Sequence, residues 1–256
     1  MRDDGDVQVA DVDVAAVARL IAEPARAAML TVLLDAGAHP AGVLASAAGI
    51  GRPAASAHLQ QLVAAGLVRV RPAGRHRYHE LAGPEVAAAL EALAAIAPPV
   101  PVRTLTQSNS ARRLATARTC YDHLAGRAGI ILRAALLDHH LLASEPLSGA
   151  AGSRIEDRGP AFAVTELGAA RLLDLGVRVR ELPRRRAVAR DCLDWTERTP
   201  HLAGALPAAA LDAFTDRGWL IRRRGRHVDV PHHGWAQAQR WLGCGGGCHP
   251  HPAADR

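Results

Sequence analysis

Four residue types in this chain can do chemistry at close spacing. Cys120-Tyr121-Asp122-His123 puts a thiol, a carboxylate and an imidazole within one short segment. On a helix, a Cys and a His three apart share a face and can share a soft metal ion. Cys192 and His201 offer a second thiol and imidazole, but no spacing rule brings them to the first pair. The same residues also read as buried structural cysteines and a buried histidine. Cys120, His123 and Cys192 are therefore candidates for an effector or redox set, with either Cys120 and Cys192 or the tail pair Cys244 and Cys248 oxidising together. Cys244-Gly245-Gly246-Gly247-Cys248-His249-Pro250-His251 has ligand spacing too. A flexible tail would bear the whole ordering cost of binding, so neither a resident metal nor a cofactor is expected.

A different chemistry is written between Arg52 and His79. That stretch holds Arg52, Arg69, Arg71, Arg75 and Arg77 and no carboxylate. Charge of one sign facing one way attracts an anion, and for a protein the commonest polyanion is nucleic acid. Arg52, Ser56, Ala57, His58, Gln60 and Gln61 fall on or beside the polar side of one helical segment. Arg75, His76 and Arg77 sit at a turn. Gln can read adenine, Ser can bind a base or a phosphate, and Arg suits phosphate. A solvated helix face and a surface hairpin are the alternative.

These residues need elements to position them. Val14, Val17 and Ile21 recur at helical spacing over 14–22. A second helix opens at Pro24 and carries Ala27, Leu30 and Leu34. A third opens at Pro40 with Val43, Leu44 and Ala47 inward. After the tight turn Gly49–Arg52, a fourth carries Ala55, Leu59, Leu62 and Val63 on one face. The period then changes to two: Leu67–Arg71 alternates, Pro72-Ala73-Gly74 turns, and Arg75–Leu81 returns. A helix over 85–97 follows, and Pro98, Pro99 and Pro101 mark a linker.

The expected organisation is an acidic tail 1–13, a DNA-binding domain 14–100, a linker 101–111, a C-terminal domain 112–242 and a disordered tail 243–256. The C-terminal domain is expected to hold helices near 112–126, 130–141, 165–175, 187–198, 205–217 and 233–242. A Gly-rich loop near 148–160, a short strand at 162–164 and a hairpin around Gly225 complete it. The fold class is mainly α with small β-hairpins: a winged helix-turn-helix followed by a helical, degenerate winged-helix-like domain.

Composition narrows the function. The 256 residues carry 31 basic residues, all arginine, 25 acidic ones and a formal charge of +6. Arginine without lysine reads first as the codon usage of a GC-rich genome. The acidic N-terminus lacks the apolar core of a signal peptide, no apolar run reaches the ~20 residues of a membrane helix, and four cysteines make no disulfide scaffold. A cytoplasmic protein with no membrane partner is expected.

Three stretches resemble the ArsR family of winged-helix repressors. Leu20-Ile21-Ala22-Glu23-Pro24-Ala25-Arg26 is similar to the family's entry motif. Ser56 to Val68, through His58, Leu59, Leu62 and Ala65-Gly66-Leu67, resembles its recognition helix and strand. Gly74-Arg75-His76-Arg77-Tyr78 resembles its wing. The resemblance covers roughly residues 14–100. It implies a homodimer in which helices 14–22 and 85–97 pack on their symmetry mates and two recognition helices enter successive major grooves of an operator. The residues alone make 85–97 apolar around most of its girth, so it needs burial, either against that mate or by a contact with the second half of the same chain. An unidentified small-molecule, metal or redox effector would release such a repressor. The family's usual metal sites have no counterpart: residues 41–48 contain no ligand, and helix 85–97 offers only Glu85 and Glu91.

The rival readings concern the second half. A small catalytic domain fused to a DNA-binding module is one, but no Gly-x-Gly-x-x-Gly turn follows a strand, and no enzyme is expected. A winged helix serving only protein partners is the other.

Overall fold

The structure is a computed structural model, and it describes residues 12–145, 161–184, 186–223, 225–244 and 248–250. It divides into two compact units. The first comprises residues up to Thr31 and Ala38–Ala82, the second Val32–Gly37 and everything from Gly83 onward. The expected Gly-rich loop at 148–160 lies outside the described residues.

The N-terminal unit follows its hydrophobic periodicity. Helix α1 (Val14–Ile21) begins at Asp13, whose carboxylate accepts from the Ala16 N–H and satisfies one of the donors a helix start leaves free. Helix α2 (Pro24–Leu33) has proline in its first turn, where a missing N–H costs nothing. Strand β1 (His39–Pro40), helix α3 (Ala41–Ala48) and helix α4 (Arg52–Ala64) come next. Gly49 ends α3 at φ 67°, a left-handed conformation that only glycine adopts cheaply. On α4, Ala55, Leu59 and Leu62 are buried, a stripe at i, i+4 and i+7. Strands β2 (Val68–Ala73) and β3 (His76–Leu81) form an antiparallel hairpin from Val68↔Leu81 to Ala73↔His76, and β1 adds to the outer side of β3. This is a helix-turn-helix with a wing.

The C-terminal unit opens with α5 (Pro84–Ile96). This helix belongs with the second half rather than with the DNA-binding domain. Its Ala87, Glu91 and Ala95 are buried, it packs on a strand of that half, and Glu91 pairs with Arg226. Helix α6 (Leu105–Thr116) starts inside the expected linker. Thr104 and Gln107 form a reciprocal capping box there, a start signal legible in the sequence.

The rest is a tandem duplication. Strands β4 (Arg118–Cys120) and β5 (His123–Ala125), helix α7 (Arg127–Asp138), strands β6 (Leu142–Ser144) and β7 (Ala161–Val164) and helix α8 (Glu166–Leu173) make one copy. Strands β8 (Ala189–Leu193) and β9 (Pro200–Ala203), helix α9 (Ala205–Asp216), strands β10 (Ile221–Arg222) and β11 (Val228–Asp229) and helix α10 (His232–Leu242) make the other.

The copies exchange hairpins. β7 of the first pairs with β8 of the second in a four-stranded sheet ordered β6-β7-β8-β9. In return, the strand entering β11 bridges to β4 through Arg118↔His227. Matching glycines support the equivalence. A Cβ on Gly168 of α8 would stand 2.0 Å from the Leu141 carbonyl oxygen, and one on Gly234 of α10 would stand 2.5 Å from that of Trp219. Each second helix therefore rests directly on the backbone that leaves the first.

One apolar core joins both copies, with Leu124, Leu132, Leu136 and Phe162 from the first and Leu202, Leu206, Phe214 and Trp235 from the second. Two stretches expected as helices fold otherwise. Residues 112–126 end their helix at Thr116 and turn into β4–β5, and 187–198 contains β8 instead. In both places the strands are only three to five residues long, too short for the period to separate helix from strand, and sheet pairing resolves them. Residues 249–250 do not form an unattached tail: the Pro250 carbonyl accepts from Arg127 Nε at 2.7 Å.

Candidate functional site

The N-terminal unit presents a polar face. Arg52, Ser56, Ala57, Gln60 and Gln61 of α4 and Arg75, His76 and Arg77 of the wing are exposed, while His58 is half-buried. Ser56, Gln60 and Arg77 line one groove together with Val70 and His79, so helix and wing residues face the same space. Not all arginines are equally available. Arg69 Nε donates to Glu80 Oε1 at 2.8 Å, and Arg71 lies 3.8 Å from Glu80 and over the Tyr78 ring. Among the described residues, Arg52, Arg75 and Arg77 have no carboxylate partner.

Arg26 explains why the entry motif and the recognition helix occur together. Its Nε donates to the Leu20 carbonyl at 2.6 Å and its Nη1 to Gln61 Oε1 at 2.7 Å. Glu23 accepts from the Arg26 N–H at 2.8 Å and lies 3.7 Å from His58 Nδ1. The Glu-x-x-Arg turn is thus tied to α4 through His58 and Gln61. Gln61 keeps only its amide N–H groups for another partner, whereas Gln60 is not held this way.

The C-terminal unit brings together the four residues whose meeting no spacing rule indicated. Cys120 and His123 are not on a helix: they are cross-strand partners closing the β4–β5 hairpin. Cys192 and His201 are likewise cross-strand partners on β8 and β9, and β5 lies against β9. One ligand atom from each of Cys120, His123, Cys192 and His201 falls within 4.8 Å of all the others. The sulfurs are 3.8 Å apart and the imidazole centroids 5.3 Å apart. Cys120, His123 and His201 are buried.

A carboxylate stands behind each imidazole. Asp122 Oδ1 lies 3.2 Å from His123 Nδ1 and is itself gripped by Arg186. Asp194 Oδ2 lies 3.6 Å from His201 Nδ1. Asp194 is fully buried, pairs with the equally buried Arg118 at 2.9 Å, and accepts from the N–H groups of Gly126 at 2.6 Å and Thr196 at 2.9 Å. Burial pushes Asp122 up, but its bonds from His123 and Arg186 outweigh that and bring it down to about 2. Asp194 is likewise held below the carboxylate range, against burial, chiefly by Arg118. The contact with Cys192, aided by burial, holds the Cys120 thiol up at about 12. The same contact lowers Cys192, so Cys192 ionises first.

A signal for this cluster was in the sequence. Cys120-x-Asp122-His123-Leu124-Ala125-Gly126 returns as Cys192-x-Asp194, six intervening residues, then His201-Leu202-Ala203-Gly204. In each copy the Gly has positive φ, 74° and 123°, and starts α7 or α9. The insertion between Asp194 and His201 hides the repeat from a fixed-period search.

Residues 21–71 match a helix-turn-helix domain family. The HTH-type transcriptional regulator YdfF of Bacillus subtilis (strain 168) is 38% identical over 211 residues, 82% of this chain and 88% of that one. Among solved structures, the homodimeric winged helix-turn-helix domain of a possible ArsR-family regulator from Mycobacterium bovis is 35% identical over 31% of this chain and 73% of its own, at a TM-score of 0.29. HlyU of Vibrio cholerae is 30% identical over 31% of this chain and 85% of its own, also at 0.29. Among the described residues, no helix is long and apolar enough to cross a membrane. With a relative this similar along most of both chains, the chain belongs to the helix-turn-helix transcriptional regulators, which are DNA-binding proteins.

Proposed function

We propose that the chain is a dimeric repressor that reads an operator with α4 and the β2–β3 wing. The observation that carries this is the division of labour among the arginines. Arg69 and Arg71 are occupied by Glu80, while Arg52, Arg75 and Arg77 are exposed and, among the described residues, have no carboxylate partner. A phosphate backbone supplies the missing anion. Ser56, Ala57 and Gln60, exposed on α4, then face base edges in the major groove, with His58 at the flank.

A second copy is supported by apolar surface. Val14 and Val17 of α1 are 70% and 41% exposed, and Leu93 and Ile96 of α5 are 44% and 81% exposed. Exposed aliphatic rows on helices favour a partner, and a two-fold partner places a second α4 one helical turn along the duplex. We assign release from DNA to an effector acting on the C-terminal unit.

Fluorescence anisotropy tests the reading. The protein is titrated onto duplex from the region upstream of its own coding sequence and onto a scrambled duplex, at several salt concentrations. Tight binding to the first alone, with a steep salt slope, is expected; equal and weak binding to both overturns it.

A further inference from the structure

We propose that Cys120, His123, Cys192 and His201 form a closed four-ligand site for a zinc-class divalent ion, which clasps the two ββαββα copies of the C-terminal unit. Neither the family nor the operator reading assigns this site, and its test needs no DNA.

The donor set comes first. Two thiolates and two imidazoles suit a borderline-soft ion with tetrahedral preference and disfavour the oxygen-seeking Mg²⁺ and Ca²⁺. The distances agree. With Zn–S bonds of about 2.3 Å, two sulfurs on a tetrahedral ion stand roughly 3.8 Å apart, which is the spacing of Cys120 and Cys192. A disulfide needs about 2.05 Å. The whole set lies within 4.8 Å, so small side-chain rotations close it around one ion.

The imidazoles carry the second argument. His123 Nε2 and both nitrogens of His201 are buried with no hydrogen-bond partner among the described residues. Leaving such atoms unsatisfied costs free energy, and an ion removes part of that cost. On the far side, Asp122 meets His123 Nδ1 at 3.2 Å, and Asp194 approaches His201 Nδ1 at 3.6 Å. A carboxylate behind a histidine orients the ring and raises its basicity toward a metal. Each is held in place in turn, Asp122 by Arg186 and Asp194 by Arg118.

Four protein ligands leave no open coordination position, so the ion would be structural rather than catalytic. Each copy contributes one Cys and one His. An ion therefore ties segments some 70 residues apart in sequence, restraining the unfolded chain as a cross-link does. On binding, each thiol gives its proton to solvent and the sulfur lone pair to the ion.

Cobalt(II) is the probe. The full chain is purified under reducing conditions in chelator, desalted and titrated with Co²⁺. The expected result is a thiolate charge-transfer band and strong tetrahedral d–d bands that saturate at one ion per chain and vanish when Zn²⁺ is added. Cys244→Ser/Cys248→Ser retains them, and Cys192→Ser and His201→Gln lose them. Asp122→Asn, which leaves every ligand in place, weakens binding about 10–100-fold. If Cys192→Ser fails to fold, thiol reactivity decides: Zn²⁺ slows modification of Cys192 in the Cys244→Ser/Cys248→Ser background. Absence of the tetrahedral spectrum, its loss in the tail variant, or a modification rate indifferent to Zn²⁺ overturns the site.

Discussion

Asp194→Ala should unfold the C-terminal unit far more than its single charge implies. The side chains of Asp194 and Arg118 are both 0% exposed. Removing one partner of such a pair strands the other charge in a dry interior, at about 3–5 kcal/mol. The alanine also leaves the N–H groups of Gly126 and Thr196 without their acceptor, and each such loss costs about 1–3 kcal/mol where no water replaces it. The smallest sum of these losses, about 5 kcal/mol, corresponds to a melting point lower by at least roughly 10–20 °C in a domain of this size. The control is Asp212→Ala. Its pair with Arg222 is just as short, 2.7 Å, but 63% and 42% exposed, and such surface pairs contribute about 0–1 kcal/mol. All four tryptophans, Trp195, Trp219, Trp235 and Trp241, lie in the C-terminal unit. Intrinsic fluorescence melts, recorded in chelator, therefore report that unit alone. If Asp194→Ala melts within about 3 °C of Asp212→Ala, the pair is solvated and the reasoning fails.

Three further outcomes are expected. Arg75→Ala/Arg77→Ala should weaken binding to every duplex and flatten the log–log salt slope by about 0.9 for each phosphate that is no longer neutralised; an unchanged slope would mean that the wing does not reach DNA. Gln60→Ala should change sequence preference by about 1–3 kcal/mol at one base pair, read by competition among operator variants, whereas Gln61→Ala should mainly loosen α4 because Arg26 holds that oxygen. Gly168→Ala should destabilise the C-terminal unit by about 1–3 kcal/mol or more, since its Cβ would stand 2.0 Å from a backbone oxygen; an unshifted fluorescence melt would contradict the close packing of α8.

The N-terminal unit was almost wholly legible in the sequence. Its helices obey a 3.6 period, its wing a period of two, and proline and glycine stand at the boundaries. The polar face of α4 follows from that period alone, because local geometry decides which residues share a helix face. The reach of Arg26 to Gln61 does not, since it joins residues 35 apart.

The C-terminal unit behaved differently. Its strands are two to five residues long, too short for alternation to be distinguished from a helical stretch, so Cys120 and His123 were expected on a helix and stand instead across a hairpin. The helix 85–97 was recognised from composition as one that needs burial, but only tertiary pairing with Arg226 shows which unit its Glu91 face serves.

The sequence by itself determined the winged helix, its charged edge and the presence of two Cys and two His in the second half, because these depend on local period and residue type. Tertiary structure decided that the four meet in one cluster. Bringing together residues 120 and 192 depends on the exchange of hairpins between duplicated halves, a non-local pairing whose loop-closure cost is repaid only by the shared core.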